Sequence, residues 1–549
     1  MNFIFSSKYV IKKIVSNILP QYKCSKENYL FLKRITPAFL SKKIANRSLD
    51  KKILIASMGY YDIKTEAMYV KALEGLGYEA IILTGYDPFI KKTCNIFGID
   101  KISFYEDYFD LFSFKTLREE SIELINKCSN VKDILNLKKY NIQIGKYAAS
   151  SVMRQTRLGD IDLNKIEIRK LIIEGLSNSL KMASMSRIIL DKIKPDLFFV
   201  TDRGYSPVGE FFDTCLDKGI PVIQRCGSHK SGHQILKLYN KPEMGSINHH
   251  SLSEESWDYM KNMHWDDNSW KELYDEIKDT YVSGDWFSEV GTQFNKKIYD
   301  KQELFSKLQL DLSKKVAVVF PHMFWDATFF WGEDIFNDYY DWFVNVLKIA
   351  ALNKNINWII KIHPANIVKA KRDHYYGEHK ELIAIRETLG KLPDHIKVIS
   401  PESDINTFNF FSIMDYCLTV RGTIGIEASA FGINTFTAGT GRYDKKGFTH
   451  DFNSREDYIS CIRSIENIGP MRKDKIELAR RYAYGIFILR PICLDLLEHK
   501  HNQDEKASIK FNMLFKTKEE FETSTFVKEF RQFVLSGKED YLNLNKRIT

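Results

Sequence analysis

A chain of 549 residues exceeds what one hydrophobic core usually supports, so its length predicts two domains with appendages. Its 44% hydrophobic and 28% charged residues suit a globular protein rather than a disordered one, and no apolar run reaches transmembrane length. The net charge of +9 is concentrated: residues 1–50 hold ten Lys/Arg against Glu27 and Asp50, a local +8, and the body is nearly neutral. A neutral body argues against nucleic acid as a partner, whereas a basic arm suits an anionic surface.

Within that arm, Val10, Ile11, Ile14, Val15 and Ile18 recur at helical spacing beside Lys8, Lys12 and Lys13. This is the pattern of a helix lying on anionic lipid. Lysines interrupt the apolar stretch of residues 1–20, and no small-residue cleavage site follows, so a signal peptide is not expected. The eight cysteines form no C-x-x-C pair, which fits a reducing cytosol without zinc cluster or disulfide frame. The expected location is cytoplasmic, peripheral on the inner face of the cytoplasmic membrane.

Residues 51–300 read as a first Rossmann-like domain, the acceptor side, with helical insertions. The runs 51–58 and 77–83 are buried strands, with a Gly59 turn and an amphipathic helix between them. No G-x-G-x-x-G follows the first strand, so a dinucleotide site is not expected. Residues 102–194 read as mostly helical. Arg154 and Arg157 end one such helix, and Asp160-Ile161-Asp162 spells a D-x-D placed between helices rather than after a strand. The strand 195–201 delivers Asp202 and Arg203 to its carboxyl end, and Ser206-Pro207 then opens a helix. The strand 219–224 leads into a polar loop with His229 and His233. One sheet edge thus presents Asp202, Arg203, His229 and His233. A Trp-rich stretch (Trp257, Trp265, Trp270, Trp286) reads as core rather than as a sugar platform.

The polar segment 295–314 reads as an inter-domain linker, and 313–455 as a second Rossmann-like domain, the donor side. Its first strand, 315–320, ends at Pro321-His322. The strand 357–363 stops at His363, fixed by Pro364. The strand 416–420 releases Arg421-Gly422-Thr423-Ile424-Gly425-Ile426-Glu427 into a helix, and a further strand near 432–437 closes with Gly439-Thr440-Gly441-Arg442. Ligands of open α/β sheets lie beyond such strand ends, and free amides at a helix start favour an anion. His363, Thr423 and those amides could hold a leaving phosphate without a metal, with Arg421 adding charge. Glu427, one turn on, could accept ribose hydroxyls. Residues 456–549 read as helices ending in a polar tail.

The series Trp-Ile-Ile-Lys-Ile-His-Pro-Ala-Asn, Arg-Gly-Thr-Ile-Gly-Ile-Glu-Ala-Ser-Ala-Phe-Gly and Gly-Arg-Tyr-Asp-x-x-Gly-Phe-Thr resembles bacterial capsule polysaccharide biosynthesis proteins, clearest over 315–450. That group includes Kdo transferases and is distantly similar to bacterial sialyltransferases and teichoic-acid polymerases. The resemblance implies a GT-B fold, two Rossmann-like βα domains facing across a cleft with helical N- and C-terminal extensions. It implies a metal-independent glycosyltransferase of capsule or lipopolysaccharide synthesis, with a nucleotide sugar such as CMP-Kdo as substrate, no cofactor, and a saccharide or glycolipid acceptor. By that resemblance His363 and Thr423 hold the donor phosphate; the residues themselves add His322, Arg421, Gly422, Gly425 and Glu427 as donor-binding candidates. The acidic-acidic-Gly motif that supplies the base in sialyltransferase-like relatives is not evident, and Asp202 stands in for it, with Arg203, His229 and His233 on the acceptor side. Competing readings are a polyol-phosphate transferase, a non-hydrolysing sugar epimerase, and a non-catalytic capsule assembly protein.

Overall fold

The computed structural model describes residues 23–44, 48–287, 292–326, 328–501 and 509–544. The apolar stripe at 10–18, expected to meet lipid, lies outside the described residues. Among those described, no helix is long and apolar enough to cross a membrane.

Two open sheets organise the chain. The first holds β1 (Lys51–Ala56), β2 (Tyr78–Thr84), β3 (Lys101–Phe104), β4 (Leu197–Val200), β5 (Val222–Gly227) and β6 (His233–Tyr239). The second holds β7 (Val316–Val319), β8 (Asn357–Lys361), β9 (Ile396–Ile399), β10 (Tyr416–Thr419) and β11 (Asn434–Thr437). A last strand, β12 (Ile492–Cys493), returns to the first sheet, giving the order β12-β6-β5-β4-β1-β2-β3, while the second runs β11-β10-β7-β8-β9. β7 to β11 pair in parallel throughout, and β1 to β5 do likewise. The strand runs are buried on both faces, as helix-covered parallel sheets require. These are two Rossmann-like units of GT-B type, as the sequence predicts.

Each sheet reverses its strand order beside its first strand, between β1 and β4 and between β7 and β10. The crevices at such reversals receive ligands. β7 and β10 there release His322 and the 421–423 turn, and β4 releases Asp202.

Two regions differ from the sequence reading. The core under the second sheet already begins at Leu252 and takes in Trp257, Ile277, Tyr281 and Trp286, well before the polar segment at 295–314. The stretch read as helices and a polar tail contains β12 and a further hairpin, β13 (Leu497–His501) with β14 (Ile509–Met513). It closes with the Thr525–Ser536 helix, whose Phe526 and Phe530 meet the Tyr69 ring edge-on at 5.0 and 4.9 Å.

Asp540 fastens that end. Its carboxylate is fully buried, 2.8 Å from Lys237 Nζ on β6 and 3.4 Å from Arg490, and it accepts the Ser253 N–H at 2.6 Å. Burial alone would raise its pKa, but Arg490 and Lys237 override it and hold it well below the carboxylate range. This stabilisation is therefore present above the unfolded carboxylate's pKa and lost as pH falls toward the folded one. Asp540→Asn leaves two buried cations without their counter-charge and should cost about 3 kcal/mol, read as a lower melting temperature. An unchanged melt would show the triad to be neutral for stability.

Candidate functional site

At the β7/β10 reversal lies a cavity of about 290 Å³. Its polar wall is His322 after β7, Lys361 and His363 at the end of β8, Gly422 and Thr423 after β10, and Arg442 after β11. Glu427, on the seven-residue Ile424–Ala430 helix, lies at its back. The apolar wall is Tyr281, Trp286, Phe287 and Phe320.

The two histidines present donors. His363 Nδ1 accepts the Ala365 N–H at 3.2 Å, which places the ring proton on Nε2. Surrounding protein, then Lys369 and Lys361, push this imidazole down to about 4, so it is neutral at physiological pH. His322 Nε2 accepts the Arg421 N–H at 3.3 Å, and its ring stacks on Tyr339 at 4.3 Å. Burial, then Arg421 and His363, hold it at about 3.

Two cations face the same void. Lys361 is 2% exposed, and its amine has no hydrogen-bond partner among the described residues. Burial and the Lys296 charge draw it down to about 7. Arg442 donates to the Arg421 carbonyl at 3.2 Å, but among the described residues its Nε has no partner and no carboxylate pairs with it. Such groups remain costly until an anion arrives. Glu427 is the opposite case: burial raises it to about 8, partly offset by the Tyr281 hydroxyl that donates to Oε2 and by Arg442. Tyr281 itself stacks on Trp286 at 4.4 Å.

The predicted residues divide accordingly. His322, His363, Gly422, Thr423 and Glu427 converge on the cavity. Arg421 does not: at 3% exposure it turns away, donating to Asp334 and to the Trp331 and Glu333 carbonyls. Arg442 occupies the position expected of it. Gly425 also faces away, because a side chain there would collide with the Tyr443 hydroxyl. Arg203, 1% exposed, donates to the Gly245 and Ile247 carbonyls at 2.6 and 2.8 Å and cannot meet an acceptor. His229 is 1% exposed and bonded to Glu276 at 2.6 Å, while His233 sits on β6 opposite Cys493 with Nδ1 at 2.9 Å from the Ser231 carbonyl. Those three are occupied by structure.

Asp202 stays open to solvent in the cleft, where Oδ1 accepts the Gly204 N–H at 3.1 Å. Flanking protein, and secondarily Asp326, hold its carboxyl above the ordinary range, against the Gly204 N–H, Arg154 and Lys369. Lys361, Arg442, Trp286 and Asp326 were not singled out as site residues from the sequence.

The D-x-D is not at the cavity: Asp162 accepts the Asn164 N–H at 3.0 Å and lies 3.8 Å from Lys165. Cys226, His249 and His250 bring donor atoms within 4.8 Å of one another. Burial and the charges of Arg442, Arg490, Arg203 and Lys237 hold the His249 imidazole well below its usual range, and the same field opposes a dication.

No family model matches this chain, and no curated protein matches it. Solved structures that resemble it include KpsC of Thermosulfurimonas dismutans, described as a beta Kdo 2,4 transferase, at 13% identity over 59% of this chain and 86% of that one, TM-score 0.31. The UDP-GlcNAc 2-epimerase of Neisseria meningitidis follows at 12% identity over 79% and 96%, TM-score 0.26. Sucrose-phosphate synthase of Thermosynechococcus elongatus stands at 9% over 80% and 95%, TM-score 0.25. Likeness this distant leaves the functional reading to the chemistry of the site.

Proposed function

We propose that the chain is a glycosyltransferase of bacterial surface polysaccharide synthesis, moving a sugar from a nucleotide-activated donor to a saccharide or lipid-linked acceptor. The observation that carries this reading is the cavity, aromatic on one wall and cationic on the other, where among the described residues Lys361 Nζ and Arg442 Nε have no hydrogen-bond partner. A nucleotide has the complementary parts: a flat base, a diol and an anion. Lys361, Arg442, Thr423 and His363 Nε2–H would meet the phosphate, and Glu427 the ribose. Asp202 would take the proton of the acceptor hydroxyl. The acceptor oxygen forms the new bond to the sugar carbon as the sugar–phosphate bond breaks, and its electron pair leaves on the phosphate. Charge growing there is what His363 and the cations would stabilise. CMP-Kdo is one donor that the sequence resemblance points to, and the basic arm would keep the enzyme at an anionic membrane.

The test is a melting screen against CMP, UDP, GDP and dTDP. A nucleotide at 100 times its dissociation constant adds roughly 2.7 kcal/mol of stability. No shift with any of the four would remove the reading.

Binding should also depend on pH. Lys361 loses its proton as pH rises through about 7, and Glu427 becomes anionic near 8. Both changes oppose an anionic ligand, so affinity for the nucleotide that passes the screen should fall from neutral toward alkaline pH. Calorimetric titration of the Lys361→Met, Glu427→Gln double variant should show weaker but flatter binding. A parental profile in that variant would show that other groups set the dependence.

Transfer should persist in EDTA, because the cavity carries its own cations. Loss of activity in EDTA, restored by Mg²⁺ or Mn²⁺, would overturn metal independence.

A further inference from the structure

Cys226, near the end of β5, and His249 and His250, in the loop after the 242–246 turn, take no part in the donor reading. Their donor atoms lie within 4.8 Å of one another. His250 is 8% exposed and its ring is half satisfied: the Gly227 carbonyl accepts from it, whereas Nε2 has no partner among the described residues. A ring held by a carbonyl at one nitrogen keeps a free lone pair on the other, the arrangement that metal-binding histidines show. Gln224 Nε2 donates to the Thr201 carbonyl at 3.0 Å and lies 3.5 Å from His249 Nδ1, a contact at the limit of hydrogen bonding. That leaves the His249 tautomer able to adapt. Cys226 and His249 are half-buried, so an ion has a way in.

The loop is held by its backbone. The Asn248 N–H meets the Gly441 carbonyl at 2.9 Å, and Arg203 donates to the Ile247 carbonyl at 2.8 Å. Arg490 donates to the His249 and Ser251 carbonyls at 2.8 and 2.5 Å. The two imidazole rings pack 4.2 Å apart, with Trp331 5.1 Å from His249 and Phe287 6.4 Å from His250. Ligands on so anchored a backbone are already oriented before an ion arrives.

We propose that Cys226, His249 and His250 form a site for one soft monovalent metal ion, Cu(I). A thiolate with imidazoles is a donor set that suits this ion. Charge selects its valence. Arg203, Arg442, Arg490 and Lys237 all act on His249. As Cu(I) binds, a Cu–S bond replaces the S–H bond and the thiol proton leaves to solvent. The two nitrogens donate lone pairs, no electron is transferred, and the net charge of the site is unchanged. Zn(II), bound by the same exchange, would add a positive charge among those cations. Bonds of about 2.0–2.3 Å at trigonal angles need donors roughly 3.5–3.8 Å apart, so the ligands must close by about an ångström. The ion takes no part in transfer, and the inference stands whether or not the cavity holds a nucleotide.

The test uses the reduced, full-length protein without oxygen. Cu(I) is supplied as its bathocuproine complex, and the copper that the protein retains is measured by elemental mass spectrometry. The parent should keep one equivalent, and X-ray absorption should show a mixed shell of sulfur and nitrogen. Cys226→Ser and His250→Gln should each lower the affinity by more than about tenfold. Cys24 is exposed and other thiols remain, so copper held equally by Cys226→Ser sits elsewhere and overturns the proposal. No copper on the parent, or a shell of sulfur alone, overturns it too. A parallel titration with Zn(II) should leave no equivalent that depends on Cys226, and finding one would overturn the choice of a monovalent ion. Should Cys226→Ser fail to fold, His250→Gln decides alone: weakened retention supports the site, and parental retention overturns it.

Discussion

Asp202→Asn should lower turnover by on the order of 10²–10⁴ while leaving nucleotide affinity near parental. The separation follows from position. Asp202 stands just past the carboxyl end of β4 and outside the lining of the cavity. An asparagine there can still accept the Gly204 N–H through its amide oxygen, so the turn should survive. What would be lost, on the proposed function, is a group able to receive the acceptor's proton as the new bond forms. Turnover would be measured with the nucleotide sugar whose nucleotide raises the melt, and affinity by calorimetry on the same preparations. Parental turnover in Asp202→Asn would remove Asp202 as base but leave the donor cavity standing. Lost affinity would mean that the variant disturbs the site at a distance.

The sequence spoke most clearly where a buried strand ends in a polar residue. β8 and β10 belong to short, buried, largely apolar runs that stop at His363 and at the Gly422-Thr423 turn, and parallel pairing of both with β7 brings those ends together. Lys361 was readable by the same logic, since residues two apart in a strand share a face and His363 follows at that spacing. Arginines were misread because strand position does not say where a long side chain goes. Arg203 and Arg421 sit at strand ends as expected, yet their guanidinium groups fold back to satisfy carbonyls of neighbouring loops. The sequence reading assigns no strand at β6, because polar residues (His233, Gln234, Lys237) interrupt its run, and the buried Lys237 finds its counter-charge in Asp540, some three hundred residues away. No local pattern encodes such a partner. The contacts of Asp326 are hidden for a similar reason: its partners Tyr205, Arg154 and Lys369 are none of them adjacent in the chain.

His363→Ala and Glu427→Gln should fail in different ways. His363 Nδ1 is occupied by the Ala365 N–H, so its free donor is Nε2–H, in the cavity where leaving-group charge would develop. A contact that strengthens in the transition state appears in turnover, and losing one such donor costs on the order of 10²–10³. Glu427 sits deeper, its Oε2 held by Tyr281, and would meet a ribose that does not change during reaction. Its loss should appear mainly as a raised KM, with turnover less affected. His363→Ala also strips the Ala365 N–H of its acceptor, so its melt must be compared with the parent before the kinetics are read. If both variants keep parental kinetics, the cavity is not the donor site and the proposed function falls. If His363→Ala raises only KM, His363 binds the donor but does not stabilise its departure, and Lys361 and Arg442 are left to carry the charge on the leaving phosphate.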